Sequence, residues 1–111
     1  MPTKIMIVGE AYGKDEEAEG LPFVGMSGFI LDKMLQEVGI RREECYVTNV
    51  FNLRPKPSND VSNLCGPKDG ALEGMPALSN GKYVRAEYAP ELARLYREAD
   101  TVKPNLILAL G

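Results

Sequence analysis

Three short apolar blocks along the chain predict β-strands. They cover residues 4–8, 45–51 and 106–110, and the first and third are each followed by a glycine. The middle block, Cys-Tyr-Val-Thr-Asn-Val-Phe, is rich in β-branched and aromatic residues. Strands that are apolar over most of their length are typical of parallel sheets covered on both faces. We therefore expect three buried parallel strands.

Two segments between these blocks predict helices. Over residues 28–38 apolar side chains recur at helical spacing, Ser27 can cap the start, and Gly39 suits the position after the end. The apolar positions are Phe29, Ile30, Met34, Leu35 and Val38. A second helix is predicted to begin near Pro90 and to end before Pro104. The alternating order predicts an α/β fold with three layers, α/β/α, around a parallel central sheet.

In two further stretches the apolar positions show no sustained periodicity. Residues 10–25 contain glycines, a proline and an acidic cluster, and they predict a long loop with the acidic side chains on a solvated face. The cluster is Asp15, Glu16, Glu17 and Glu19. The pattern of residues 54–88 predicts a long irregular segment with a turn of helix near 61–64, and we call this segment the excursion. Because basic residues outnumber acidic ones there, contact with phosphates and a merely solvated loop both stay open.

Composition narrows the class of protein. With 111 residues, of which 44% are hydrophobic and 26% charged, the chain has room for one globular domain. No apolar run approaches the ~20 residues of a membrane span, and the start shows no export leader. We therefore expect no membrane partner and a cytoplasmic location, in a bacterial cell or a phage-infected host.

Charge and residue types narrow the chemistry further. The net charge of −3 gives no general basic footprint for nucleic acid. The absence of histidine removes every Ser-His or Cys-His nucleophile arrangement. Cys45 and Cys65 lack the paired spacing of a zinc site, so no metal ligands are predicted. Carboxylates, amides, backbone groups and water remain as the means of catalysis.

Residues that follow the first strand are candidates for a site, because ligands bind beyond the carboxyl ends of parallel strands. Gly9 and Gly13 bracket Glu10 and allow the backbone to turn sharply, which would present a carboxylate over the sheet edge. The spacing of these glycines is neither that of a phosphate loop nor that of a dinucleotide fingerprint. The alternative is that Glu10 is an ordinary carboxylate on the surface.

Two other side chains suggest a planar ligand. Phe23, between Pro22 and Gly25, is either a core anchor or a stacking face for a base. Asn49 lies near the end of a strand, where asparagine is disfavoured and a buried amide needs partners. Its amide can pair with the O4 acceptor and N3–H donor of uracil. A structural asparagine bonded to loop backbone stays the alternative.

Taken together, these segments resemble the uracil-DNA glycosylase superfamily, in particular its family-4 type and phage-encoded relatives. The resemblance rests on Gly-Glu-Ala-Tyr-Gly at 9–13, Leu-Pro-Phe-Val-Gly at 21–25, Ser27-Gly28, Leu31-Asp32, Val-Thr-Asn-Val at 47–50, Arg54-Pro55 and Pro-Asn-Leu-Ile-Leu-Ala-Leu-Gly at 104–111. Order and spacing match over nearly the whole chain except the excursion. The fold implied is a single domain, residues 1–111, of uracil-DNA glycosylase type.

The resemblance implies hydrolysis of the N-glycosidic bond of a uracil nucleotide flipped out of DNA. Glu10 would then act as general base, stabilise the cationic sugar, or crowd a thymine methyl group. Phe23 would stack on the base and Asn49 would read its edge. The resemblance also places Gly9, Ala11, Tyr12 and Gly13 around the substrate, with Tyr12 either gating the pocket or packing on the loop.

Two departures from the family pattern change what we expect of this chain. Members carry a His-Pro-Ser-like motif after a fourth strand, so we expect this chain to be a fragment or a truncated relative, weak or inactive as it stands. Leu53 and Tyr88 stand where cluster-bearing relatives have cysteines, so no iron–sulfur cofactor is expected. A catalytically silent base-binding, DNA-binding or interaction module is the alternative function, and homodimerisation through an exposed sheet edge stays open.

Overall fold

The computed structural model describes residues 5–78 and 81–110, which form a mixed α/β fold. Its main elements alternate between strands and helices, except that two helices follow the first strand and a short strand pair is inserted before the last helix. They are β1 (Ile5–Ala11), α1 (Lys14–Glu19), α2 (Gly25–Glu37), β2 (Cys45–Phe51), β3 (Cys65–Gly66), β4 (Tyr83–Val84), α3 (Ala89–Val102) and β5 (Leu106–Ala109).

The central sheet has three parallel strands in the order β2-β1-β5, as the apolar blocks predict. The expectation that the third strand is buried is wrong: β5 is an outer strand, and Leu106 and Ile107 are 50% and 53% exposed. β1 lies in the middle because it carries the most uniformly buried run, from Met6 to Gly9. Ile5 pairs with Cys45 on one side and with Leu106 on the other. This arrangement brings the residues that leave β1 and β2 to the same edge of the sheet.

Alternate side chains of the strands pack against different helices. On one face, Ile7 meets Leu31 and Leu35 of α2, with Val47 of β2 beside them. On the other face, Tyr46 and Thr48 of β2 bond to Glu98 of α3. Successive side chains of β2 point to opposite faces of the sheet, so one helix packs on each face. The fold is therefore the expected three-layer α/β/α arrangement.

Residues 54–88 are more ordered than the sequence predicts. β3 and β4 form an antiparallel pair in which Cys65 lies opposite Val84. The predicted helical turn is confirmed as a 3₁₀ helix over Val61–Leu64. Phe51, Leu64, Cys65 and Val84 make a small core of their own. Strands of two residues are too short to give a periodic signal, which explains why the pattern did not show them.

Three further expectations need correction. The predicted loop 10–25 contains α1, and β1 extends to Ala11, three residues beyond the predicted strand. α2 begins at Gly25 rather than at 28, with Val24 and not Ser27 at its N-cap. Most apolar side chains of α2 are exposed, including Phe29 at 64%. They are spread around more of the helix circumference than the sheet can cover.

None of the helices in residues 5–78 and 81–110 has the length and apolar character that crossing a membrane requires.

Candidate active site

A cleft of about 470 Å³ opens at the edge of the sheet where β1 and β2 end. Its walls come from the end of β1, the segment before α2, and β2. All seven residues that the sequence singled out line this cleft: Gly9, Glu10, Ala11, Tyr12, Gly13, Phe23 and Asn49. The structure therefore brings them together, while their chemical roles stay predictions.

The floor of the cleft is formed by Gly9, Asn49 and Phe23. Gly9 pairs with Asn49 in the sheet, and a Cβ atom at Gly9 would overlap Asn49 Oδ1 and lie 2.6 Å from Phe23 Cζ. Asn49 is only 2% exposed. Its backbone carbonyl accepts a hydrogen bond from Arg94, but its carboxamide has no hydrogen-bond partner among the residues that the structure describes. The amide and the ring meet because position 9 has no side chain.

Replacing Gly9 with alanine is expected to lower the free energy of unfolding by about 1–3 kcal/mol, since the new methyl group must displace the amide or the ring. Urea denaturation followed by circular dichroism measures this change. Gly66→Ala is the matched control, because its Cβ would meet only the Arg85 side chain at 3.5 Å. Equal losses for the two variants would contradict the close packing at Gly9.

Phe23 is held in an unusual backbone conformation. Its φ of 52° lies in the left-handed region, which aromatic residues rarely adopt. Arg42 donates to the carbonyl oxygens of Phe23 and Pro22, each at 2.7 Å. A Cβ at Gly28 would overlap the Phe23 carbonyl oxygen, so α2 approaches it closely from the other side. These contacts stabilise a strained residue at the cleft. No local pattern in the sequence pointed to this role of Arg42.

Glu16 is the main correction to the sequence analysis, which placed it on a solvated loop face. It is 7% exposed and accepts three hydrogen bonds, from Gly13 N (2.9 Å), Val24 N (3.0 Å) and Ser27 Oγ (2.8 Å). Burial by itself would raise the pKa of Glu16, but these bonds together hold the pKa below its ordinary value. The carboxylate thus joins the Gly13 loop, the Phe23 segment and α2.

One feature of the sequence could have indicated the role of Glu16, namely its position three residues after Gly13. A glutamate at the third helical position commonly accepts the backbone N–H of the residue that precedes the helix. That geometry is present at the start of α1. The additional bonds to Val24 and Ser27 depend on tertiary structure and could not be predicted.

The other residues that leave β1 differ in exposure. Glu10 is exposed and lines the cleft, and Ala11 packs on the small core around Phe51. Tyr12 is half-buried, its backbone N–H donates to Leu53 O at 3.0 Å, and burial raises the pKa of its phenol. Glu10 is therefore an exposed carboxylate of β1 that a bound molecule can reach directly, and the exposed Asp15 of α1 lines the same cleft.

The excursion contributes one cleft residue that the sequence analysis missed. Asn59 lines the cleft, and its Oδ1 accepts from Arg54 Nε at 2.6 Å. Arg54 and Lys56 also lie 3.9 and 3.3 Å from the carboxylate of Glu17 on α1. Two basic residues of the excursion are thus near an acidic partner. Weak pairs of this kind at the surface can exchange their partner for a phosphate.

The residues present do not fit an iron–sulfur cluster. Leu53 and Tyr88 pack on the apolar core that Phe51, Leu64, Cys65 and Val84 form. Cys65 is itself part of this core, and burial raises the pKa of its thiol. Cys45 lies at the start of β2 and packs with the α2 core. Within the described ranges, no three His, Cys, Asp or Glu side chains are grouped so that they could hold a metal ion.

Comparison with known proteins gives a consistent result. The family model described as "Uracil DNA glycosylase superfamily" matches residues 2–111. The type-4 uracil-DNA glycosylase of Thermotoga maritima is 48% identical over 111 residues, covering 100% of this chain and 46% of that protein. The protein of the same name from Archaeoglobus fulgidus is 36% identical over 109 residues, covering 98% and 44%. The chain thus spans less than half the length of these relatives.

Proposed function

Because this chain belongs to the uracil-DNA glycosylase superfamily, we propose that it acts, as a single domain of residues 1–111, in the hydrolytic removal of uracil from DNA. The relatives from Thermotoga maritima and Archaeoglobus fulgidus carry the name type-4 uracil-DNA glycosylase. The observation that best supports the proposal is the Asn49 carboxamide, which lies in the cleft beside the Phe23 ring without a partner among the described residues.

The Asn49 carboxamide matches one edge of uracil. An amide N–H can donate to O4, and the amide oxygen can accept from N3–H. Cytosine presents the reverse pattern at these positions, with a donor at N4 and an acceptor at N3. A carboxamide turned over by 180° would match cytosine instead, so in our proposal the amide selects uracil by keeping the orientation that places its Oδ1 over Gly9. The amide therefore supports selectivity for uracil.

Phe23 and Gly9 provide the space for the base. The ring of Phe23 lies against the cleft, and stacking on an aromatic side chain stabilises a bound base by ~1–3 kcal/mol. In our proposal the base enters as a nucleotide flipped out of the DNA. The absence of a side chain at Gly9 keeps the amide and the ring adjacent, so one base can contact both.

We assign to Glu10 the activation of the water that attacks the sugar. Its exposed carboxylate would accept a proton as the water oxygen bonds to C1′ of the sugar, while the bond from C1′ to N1 of uracil breaks. The electron pair of that bond leaves with the base, and the carboxylate stabilises the cationic sugar during the step. Gly9, Ala11, Tyr12 and Gly13 complete the loop that holds this water.

The remaining parts of the proposal concern cofactor, partner and location. We infer that this chain supplies no ligand to an iron–sulfur cluster, since Leu53 and Tyr88 are packed in an apolar core. Uracil-containing DNA is the proposed partner. Homodimerisation through the outer edge of the sheet and a cytoplasmic location stay predictions.

We test the proposal by binding and by cleavage. In a titration of ¹⁵N-labelled protein, uracil is expected to shift the side-chain amide of Asn49 and the backbone amides of Gly9 and Phe23. Cytosine at the same concentration is expected to leave them in place. An oligonucleotide with a single uracil, incubated with the protein and treated with alkali, should then break at that position.

The outcomes separate two functions. Binding together with alkali-labile sites supports the hydrolase. Uracil binding without cleavage, both by this chain and by a version extended at its C-terminus, favours the alternative, a base-binding module of the same fold. If uracil and cytosine both leave the three signals unchanged, and no cleavage occurs, both functions are contradicted.

A further inference from the structure

A polar cluster lies between α3 and β2, on the face of the sheet opposite Phe23. It consists of Tyr46, Thr48, Glu91, Arg94 and Glu98, all of them half-buried or buried. Tyr46 Oη donates to Glu98 Oε2 at 2.6 Å, and Thr48 Oγ1 donates to Glu98 Oε1 at 2.9 Å. Glu91 Oε1 accepts the backbone N–H of Asn52 at 2.7 Å. The cluster therefore ties α3 to β2 from residue 46 to residue 52.

Arg94 is the centre of this cluster. Its Nη2 donates to the backbone carbonyl oxygens of Asn49 and Val50, each at 2.8 Å, and its Nη1 donates to Thr48 Oγ1 at 3.1 Å. Glu98 and Glu91 pair with the same guanidinium. One side chain thus holds three consecutive residues of β2, and the middle one carries the carboxamide that lines the cleft.

The position of β2 explains why this contact matters. β2 is an outer strand of the central sheet, and within the described residues it is bonded to β1 alone. At its carboxyl end, the carbonyl oxygens of Asn49 and Val50 both accept from Arg94, a donor outside the sheet. The planar fork of an arginine supplies them with fixed directions, which a lysine ammonium cannot do. The guanidinium therefore fixes the backbone from which the Asn49 amide projects.

We propose that Arg94 is a positioning residue for Asn49: by holding the Asn49 and Val50 carbonyls, it sets the place of the Asn49 carboxamide in the cleft. The inference rests on the proposed function only in its effect on uracil removal, since the backbone contact exists without any substrate. Arg94 is not among the residues that line the cleft.

The first test does not depend on activity. The side-chain amide signal of Asn49, assigned by its loss in Asn49→Ala, is expected to move in Arg94→Ala and in Arg94→Lys. Arg97→Ala, an exposed arginine on the same helix, is the control and should leave the signal in place. An Asn49 signal that stays unchanged in Arg94→Lys, which keeps the charge and the helix, would overturn the proposal.

The second test is a double-mutant cycle on uracil removal. Arg94→Lys is expected to slow single-turnover excision by about 10–100-fold when Asn49 is present, and by less than about twofold in Asn49→Ala. A merely structural role would slow both backgrounds by the same factor, and that result would overturn the proposal. If neither this chain nor a version extended at its C-terminus excises uracil, the proposed function fails, and the signal of Asn49 then decides alone whether Arg94 is a positioning residue.

Discussion

Replacing Asn49 with alanine is expected to lower the rate of uracil excision by about 10²–10³-fold and to remove the preference for uracil over cytosine. Asn49 is 2% exposed and lines the cleft, and its carboxamide makes no hydrogen bond within the described residues. Alanine leaves the edge of a bound uracil without partners. Single-turnover excision from a uracil oligonucleotide, with uracil and cytosine titrations alongside, measures both effects.

A matched control is Asn105→Ala, because Asn105 is exposed before β5 and lies outside the cleft. Its excision rate and base preference should equal those of the unmodified protein. The circular dichroism spectrum of Asn49→Ala should also remain that of a folded chain. Unchanged selectivity in a folded Asn49→Ala protein would show that another group reads the base.

Replacing Glu16 with glutamine is expected to reduce the free energy of unfolding at pH 7 by about 1.5–3 kcal/mol. The carboxylate accepts on both oxygens, from Gly13 N at one and from Val24 N and Ser27 Oγ at the other. A glutamine has only one acceptor oxygen, so its NH₂ group must face at least one backbone N–H. Urea denaturation measures the loss, and uracil binding should weaken as well because both cleft segments lose their common support.

The same carboxylate predicts a dependence of stability on pH. The pKa of Glu16 in the folded chain lies below its ordinary value of 4.5. Its contribution is therefore fully present above pH 4.5 and is lost as the pH falls through the lower, folded value. Between neutral pH and pH 3, the unmodified protein should lose more stability than Glu16→Gln, which has no carboxyl group to protonate at this position.

Glu17→Gln is the control for both measurements. Glu17 is exposed on the same helix, and its partners Arg54 and Lys56 lie 3.9 and 3.3 Å away. Exposed pairs of this kind contribute less than about 1 kcal/mol. The hypothesis for Glu16 is wrong if the two glutamine variants lose the same stability at pH 7 and follow the same course on acidification.

The main strands and α3 were predictable because each depends on a pattern that is local in sequence. β2 was predicted at its observed bounds, since its β-branched and aromatic residues leave few alternatives to a strand. The helix near Pro90 was also confirmed, as α3, since proline fits the first turn. α1 could not be predicted with the same means, because it has six residues and few apolar positions. Its formation depends on the bonds that its glutamate makes with distant segments.

The site was predictable only in part, for a related reason. Gly9, Glu10, Phe23 and Asn49 stand at strand ends or in a loop of distinctive composition, and the topology of a parallel sheet brings such positions together. Arg42 and Arg94 act on carbonyl groups that are 19 and 45 residues away in the sequence. No local pattern marks which arginine will reach a particular carbonyl.

The two walls of the cleft differ in how they are attached to the rest of the molecule. Gly9 and Asn49 belong to strands, and β1 is hydrogen-bonded on both sides. Phe23 belongs to a connecting segment that is held by one guanidinium and one carboxylate. Thermal motion in the cleft will therefore be uneven. The Asn49 amide, which faces a base edge, will stay nearly fixed. The Phe23 ring will account for most of the opening and closing of the cleft as a base enters and leaves.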